Sequence, residues 1–239
     1  MALEIKICGL STNDSIDWAR GAGAGTIGLV HFPRSPRHVD LDAMATLAAH
    51  ARRAAPDLAV EPARVVALTV DADDDLLAAI MAAAAPDVLQ LHGHEDLARA
   101  RAIESRFGVP VLKALGIADA ADVGVAREWS KAGIRLLLDA KPPKEATRPG
   151  GLGRTFDWSL LTALDHDRSF MLSGGLDPDN VAEAVRLLRP GGVDVSSGVE
   201  TAPGIKSRNR IAAFVAAARA ADEEGAAAAA GRQRKDIEA

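Results

Sequence analysis

Tyrosine is missing from this 239-residue chain, and aromatic side chains make up only 3% of it. A single cysteine, Cys8, excludes an internal disulfide. A lone thiol suits a reducing compartment, so the expected location is cytoplasmic. Long apolar runs are missing too. No stretch reaches the roughly 18 apolar residues of a spanning helix, and no membrane partner is expected. The opening "MALEIKICGL" has neither the basic start nor the long apolar core of a signal peptide. Positive charge is not in excess: the formal net charge is −5. No basic segment is interleaved with aromatics, so nucleic acid is not expected as a partner either. With so few rings available, small aliphatic side chains and alanine-rich helices must build the core.

What is present is an ordinary globular balance, 48% hydrophobic and 26% charged. Short runs rich in Val, Ile and Leu predict strands at 3–8, 26–30, 64–70, 87–91, 110–115, 134–139, 169–173 and 193–196. Helical patterns fall between them, at 11–22, 41–54, 73–84, 94–106, 119–131, 157–164, 178–188 and 207–222. Ser11 is the expected cap of the first helix, with Asp14 completing a weak capping box. Strict alternation of eight strands and eight helices predicts a parallel sheet with right-handed crossovers. The α/β class expected is a single-domain (β/α)8 TIM barrel over residues 1–222. Residues 223–239 form an extension, helical or flexible. An open doubly wound sheet is the alternative, but "CGLSTND" stands where its glycine fingerprint would follow the first strand.

In a barrel, function gathers where strands end. Those ends carry Cys8-Gly9, "HFPRSPRHV", Gln90 and His92, Asp139 and Lys141, "SGGL" and "DVSSGVE". Glycine-flanked amides around Gly174, Gly175, Ser197 and Gly198 suit a phosphate, helped by a short helix beginning at Ser197-Gly198. Two ordinary turns would look the same. Arg37 has the planar fork that holds a carboxylate, although a surface arginine is the simpler reading. Cys8 can serve as a base or fill space as a small buried side chain. Asp139 can act as an acid, cap a helix or pair with Lys141. Lys6 shares a strand face with Cys8, and closure of the barrel would bring it to Asp194.

Together "KICGL", "FPRSPRHV", "LQLHG", "LLLDAK", "GGLGRTFDW", "LSGGLDPDNV" and "VDVSSGVETAPGIK" resemble the phosphoribosylanthranilate isomerases of tryptophan biosynthesis. The resemblance spans about residues 3–215. It implies an Amadori rearrangement of N-(5-phosphoribosyl)anthranilate to 1-(o-carboxyphenylamino)-1-deoxyribulose 5-phosphate. It implies Asp139 as general acid, Cys8 as general base and Arg37 on the anthranilate carboxylate. Gly174, Gly175, Ser197 and Gly198 fall on the phosphate, with the Gly150–Gly153 loop beside them. Neither metal nor organic cofactor is implied. Gly25 stands where the family pattern has Asp, His31 where an aromatic is frequent, and Ser207 where an acid follows "GIK". A histidine-pathway sugar isomerase would carry an aspartate at the Cys8 position. An indole-3-glycerol-phosphate synthase would show lysine and glutamate at other strand ends, and a non-catalytic barrel has no need of both Cys8 and Asp139. No long exposed apolar stripe is evident, so a monomer is expected over a homodimer.

Overall fold

The computed structural model describes residues 2–53, 62–141, 150, 156–164 and 170–237. Its strands are β1 (Glu4–Cys8), β2 (Thr26–Val30), β3 (Arg64–Thr69), β4 (Val88–Leu91), β5 (Val111–Ile117), β6 (Arg135–Ala140), β7 (Phe170–Leu172) and β8 (Gly192–Val195). They pair in chain order, all parallel, and β1 pairs with both β2 and β8, closing the barrel. The expected (β/α)8 architecture is present.

The helices are α1 (Asn13–Gly21), α2 (Leu41–Arg52), α3 (Asp74–Ala84), α4 (Leu97–Phe107), α5 (Ala120–Lys131), α6 (Val181–Leu188) and α7 (Arg208–Ile237). The expected helix at 157–164 is instead a 3₁₀ turn, Trp158–Ala163, capped by the Asp157 carboxylate. Six residues are too few to sustain an α-helix without a strong apolar stripe. Thr12, not Ser11, caps α1: its hydroxyl accepts from Ser15 N, and the Ser15 hydroxyl accepts from Thr12 N. The reciprocal partner is thus Ser15 rather than Asp14. Asp96 caps α4, and the expected start at His94 is displaced because His94 turns to Asp71. The helix expected from 178 begins at Val181, because Asp177 Oδ1 accepts from the amides of Asp179 and Asn180 and holds a turn there. α7 runs past residue 222 to Ile237 without a break.

Alternation along each strand sorts side chains into two layers. Ile5, Ile7, Ile27, Leu29, Leu89 and Leu136 belong to the main core shared with the helices. Val66, Val88, Leu112, Ala114, Leu137 and Met171 form a second cluster, which fills the middle of the barrel. Burying one such Leu, Ile or Val fully is worth about 1.5–3 kcal/mol. At the N-terminal end of the strands Glu4 binds the Thr26 hydroxyl at 2.8 Å and pairs with Arg135. After β8 comes a 3₁₀ turn, Ser197–Val199, then an antiparallel hairpin of β9 (Glu200–Ala202) and β10 (Ile205–Lys206). The hairpin abuts the loop after β2: a Cβ on Gly204 would lie 2.6 Å from the Pro36 carbonyl.

Candidate active site

Cys8 ends β1 and points inward beside Val30 and Leu68, 4% exposed. Its register partner on β2 is Gly28, and a Cβ there would stand 2.6 Å from Sγ. The thiol therefore occupies space that only glycine leaves open. Burial pushes its pKa up, against the pull of Lys6 and Lys206, while Asp194 pushes it up further.

Lys6, two residues earlier on the same face, is fully buried. Its Nζ donates to Asp194 Oδ1 at 2.7 Å and also reaches the Cys8 sulfur. The pairing expected from barrel closure is present. Burial works against the lysine charge, yet Asp194 and the thiol keep its pKa above the ordinary value. Ser173 Oγ donates to Asp194 Oδ2 at 3.2 Å, which fixes the other carboxylate oxygen.

Asp139 lies on β6, three strands from β1 around the closed barrel by way of β7 and β8. It is 7% exposed, and burial pushes its carboxyl up to about 7. The Ala140 amide donates to Oδ1 at 2.7 Å and opposes that shift. Lys141 is not its partner; Lys141 Nζ pairs with Asp122 at 2.7 Å instead. His92 Nε2 stands 3.6 Å from Asp139 Oδ2, and Gln90 Nε2 lies 3.3 Å from His92 Nδ1. Burial lowers the His92 pKa to about 4, so the ring is neutral in ordinary buffers. Gly150 covers this group closely: a Cβ there would be 2.8 Å from both Asp139 Oδ2 and His92 Nε2. The rest of the Gly150–Gly153 loop lies outside the described residues.

Arg37 is 5% exposed and its side chain crosses Gly9, where a Cβ would meet Arg37 Cδ at 2.4 Å. Its Nε and Nη2 each donate to Glu200 at 2.7 Å, a bidentate pair. Glu200 also accepts from Lys206 Nζ at 2.8 Å, and Lys206 reaches the Ser196 carbonyl at 2.9 Å. Ser196 Oγ in turn donates to the Cys8 carbonyl at 3.0 Å. Burial alone would raise the Glu200 carboxyl, but Arg37 and Lys206 hold it below the usual carboxylate value. Glu200 and Lys206 are cross-strand partners in the hairpin. That pairing is a signal present in "GVETAPGIK" that sequence reasoning passed over.

Gly174 and Gly175 follow β7 with φ of 86° and 65°, backbone that side-chain-bearing residues avoid. A Cβ on Gly174 would lie 2.4 Å from the Ala140 amide nitrogen. Ser197 and Gly198 follow β8 in a 3₁₀ turn of three residues rather than a helix. A Cβ on Gly198 would sit 1.9 Å from the Leu176 carbonyl. The loops after β7 and β8 thus interlock through glycine. Among the described residues no cluster of three or more His, Cys, Asp or Glu side chains is arranged to hold a metal, and no helix is long and apolar enough to cross a membrane.

An acid poised near neutrality and a buried thiol at one barrel mouth suit proton transfer on both sides of a small substrate. Residues 5–217 match the family described as N-(5'phosphoribosyl)anthranilate (PRA) isomerase. The N-(5'-phosphoribosyl)anthranilate isomerase of Rhodopseudomonas palustris (strain BisB18) is 54% identical over 223 residues, covering 93% of this chain and 99% of the relative. That of Nitrobacter winogradskyi is 53% identical over 222 residues, covering 93% and 95%. The crystal structure of the Thermotoga maritima phosphoribosyl anthranilate isomerase superposes with a TM-score of 0.77 at 32% identity, covering 91% of this chain and 99% of that one. Another such isomerase, in complex with reduced 1-(o-carboxyphenylamino)-1-deoxyribulose 5-phosphate, gives 0.75 at 29% identity, covering 91% and 99%. By its family match, these relatives and the shared fold, the chain belongs to the phosphoribosylanthranilate isomerase family.

Proposed function

We propose that this protein converts N-(5-phosphoribosyl)anthranilate to 1-(o-carboxyphenylamino)-1-deoxyribulose 5-phosphate, the isomerase step of tryptophan biosynthesis. The observation that carries the reading is Asp139. A buried carboxyl near pKa 7 remains partly protonated in neutral buffer, which suits a general acid. It protonates the furanose ring oxygen, the C1–O bond breaks, and a Schiff base forms. Cys8, across the mouth, takes the proton from C2 as a thiolate and leaves an enolamine, which tautomerises to the ketone. Lys6 is the cation in contact with that thiolate. Its own counter-ion Asp194 keeps it charged and fixed in place.

The anthranilate carboxylate falls to the Arg37 side of the mouth. Glu200 already holds two donors of that guanidinium, so Glu200 sets its plane before any ligand arrives. The phosphate falls to the interlocked loops around Gly174, Gly175, Ser197 and Gly198. Positive φ and close backbone approach there support an anion cradle built from main chain. We read residues 1–222 as the catalytic barrel and 223–239 as an extension, since the family match ends at 217 and Ala221 is still buried in the core. The protein acts in the cytoplasm as a monomer on this reading. Among the described residues the large exposed apolar side chains, Val125, Leu187 and Ile205, are scattered over α5, α6 and β10. A sizing column tests the monomer.

The deciding experiment follows loss of anthranilate-substrate fluorescence with wild type, Cys8→Ala and Asp139→Asn. Each variant is expected to lose about 10²–10⁴ in kcat with its circular dichroism unchanged. A fully active Cys8→Ala protein would remove the thiol from the mechanism.

A further inference from the structure

Lys206 ends β10, and its ammonium is buried rather than offered to solvent. Its three hydrogens meet three acceptors: Glu200 Oε1 at 2.8 Å, the Ser196 carbonyl at 2.9 Å and Ser196 Oγ at 3.3 Å. Ser196 Oγ gives its own hydrogen to the Cys8 carbonyl, so towards Lys206 it accepts. With its hydrogens engaged in this way, Lys206 is not arranged to touch a substrate. A buried cation that touches none must act through its partners. Burial works against its charge, and Glu200 supports it.

Glu200 is shared between two cations. Its Oε1 accepts from Lys206 Nζ and Arg37 Nε, and its Oε2 accepts from Arg37 Nη2. The Lys206 and Glu200 side chains are at most 4% exposed, so water screens these charges little. A carboxylate held by Arg37 alone would cancel much of the field that the guanidinium projects towards an incoming anion. With Lys206 on its other side, the same carboxylate fixes the guanidinium while its own charge is offset. Removing Lys206 takes one positive charge from the group, whatever else Arg37 meets. We propose that Lys206 is a positioning residue for specificity: by offsetting Glu200, it lets Arg37 be held rigid and still draw the carboxylate of the substrate. The inference rests on the reading that places the anthranilate carboxylate at Arg37. The charged and titratable groups facing Lys206 are Glu200 on β9, Arg37 after β2 and Cys8 on β1. Lys206 therefore also acts on the thiol, so the test reads ligand binding rather than turnover.

The test compares inhibition constants of two product analogues on the full chain. One is reduced 1-(o-carboxyphenylamino)-1-deoxyribulose 5-phosphate, and the other is the same molecule without its carboxyl group. Their ratio cancels the phosphate, the sugar and any general loosening of the mouth. Wild type is expected to favour the carboxylated analogue. In Lys206→Met that preference should fall about tenfold, the order expected of one unit charge acting from a neighbouring residue. In Lys206→Met with Glu200→Gln, cation and anion are both gone, and the preference should return to within about threefold of wild type. A merely structural lysine predicts the opposite order, with the double variant worse than the single. A Lys206→Met preference equal to that of wild type overturns the proposal, and so does a double variant that recovers nothing. The double variant leaves no buried carboxylate short of a cation, so it decides where Lys206→Met folds poorly: a preference well below wild type there overturns the proposal. A wild type that binds both analogues alike instead sinks the placement of the carboxylate at Arg37, and the proposal with it.

Discussion

Consider the double replacement Lys6→Met with Asp194→Asn. Lys6 lies at zero exposure between Asp194, at 2.7 Å, and the Cys8 thiol. Removing Lys6 alone would strand a buried carboxylate, a change that costs about 3–5 kcal/mol and invites unfolding. Changing both partners removes the pair and leaves a neutral amide for Ser173 to bind. A unit charge about 4 Å from a thiolate contributes about 4 kcal/mol at an effective dielectric constant of 20. Asp194 opposes Lys6 at the sulfur, and of the two Lys6 acts more strongly. The double variant therefore loses only the difference, on the order of 1–2 kcal/mol. Loss of net positive charge raises the thiol pKa, so the thiolate fraction at a fixed pH should fall about five- to thirtyfold. The assay is absorbance at 240 nm against pH. Cys8 is the one thiol and the chain has no tyrosine, so no phenolate obscures the signal. A titration curve that coincides with wild type, or moves to lower pH, refutes Lys6 as the thiolate's partner.

Asp139→Asn should stabilise the fold as it kills activity. The native carboxyl titrates at about 7, whereas an unfolded aspartate does so near 3.9. Between those values the folded state keeps a proton that the unfolded chain has released, so wild-type stability declines as pH rises through that window. The asparagine variant is expected to match wild type near pH 4 and to exceed it by about 2–4 kcal/mol near pH 8 in urea unfolding. Equal differences at both pH values would contradict the burial argument. Gly28→Ala should cost about 1–3 kcal/mol and displace the thiol, because its Cβ would fall 2.6 Å from Sγ and 3.1 Å from the Cys8 Cα. Gly124→Ala, in open space on α5, is the control, expected to gain up to about 1 kcal/mol. Indistinguishable melting temperatures for the two variants would refute the close-approach reading.

The barrel was legible because its signal is local. Each β-run carries its Val, Ile and Leu, and most of the following segments carry a helical period. Strand ends, and so Cys8, Asp139 and the glycine pairs, followed from that reading together with the family resemblance. Helix starts were less legible, since Thr12 with Ser15 and Asp96 are chosen by side-chain geometry that neighbouring polar residues mimic equally well. The 3₁₀ turn at Trp158–Ala163 shows the same limit: a short helical pattern does not reveal whether six residues will wind as α or 3₁₀.

The sequence by itself determined the class of fold, the order of the strands and which residue types stand at the mouth. These depend on periodicity and chain order, which survive without coordinates. Tertiary structure decided the electrostatics. Arg37 and Glu200 are 163 positions apart, and Lys6 and Asp194 are 188 apart. Only closure of β8 onto β1 makes either pair. Burial by the closed barrel sets Asp139 near 7 and His92 near 4. The chain order names an acid and a thiol. The depth at which the barrel holds them, and the charges it brings beside them, fix when each carries its proton.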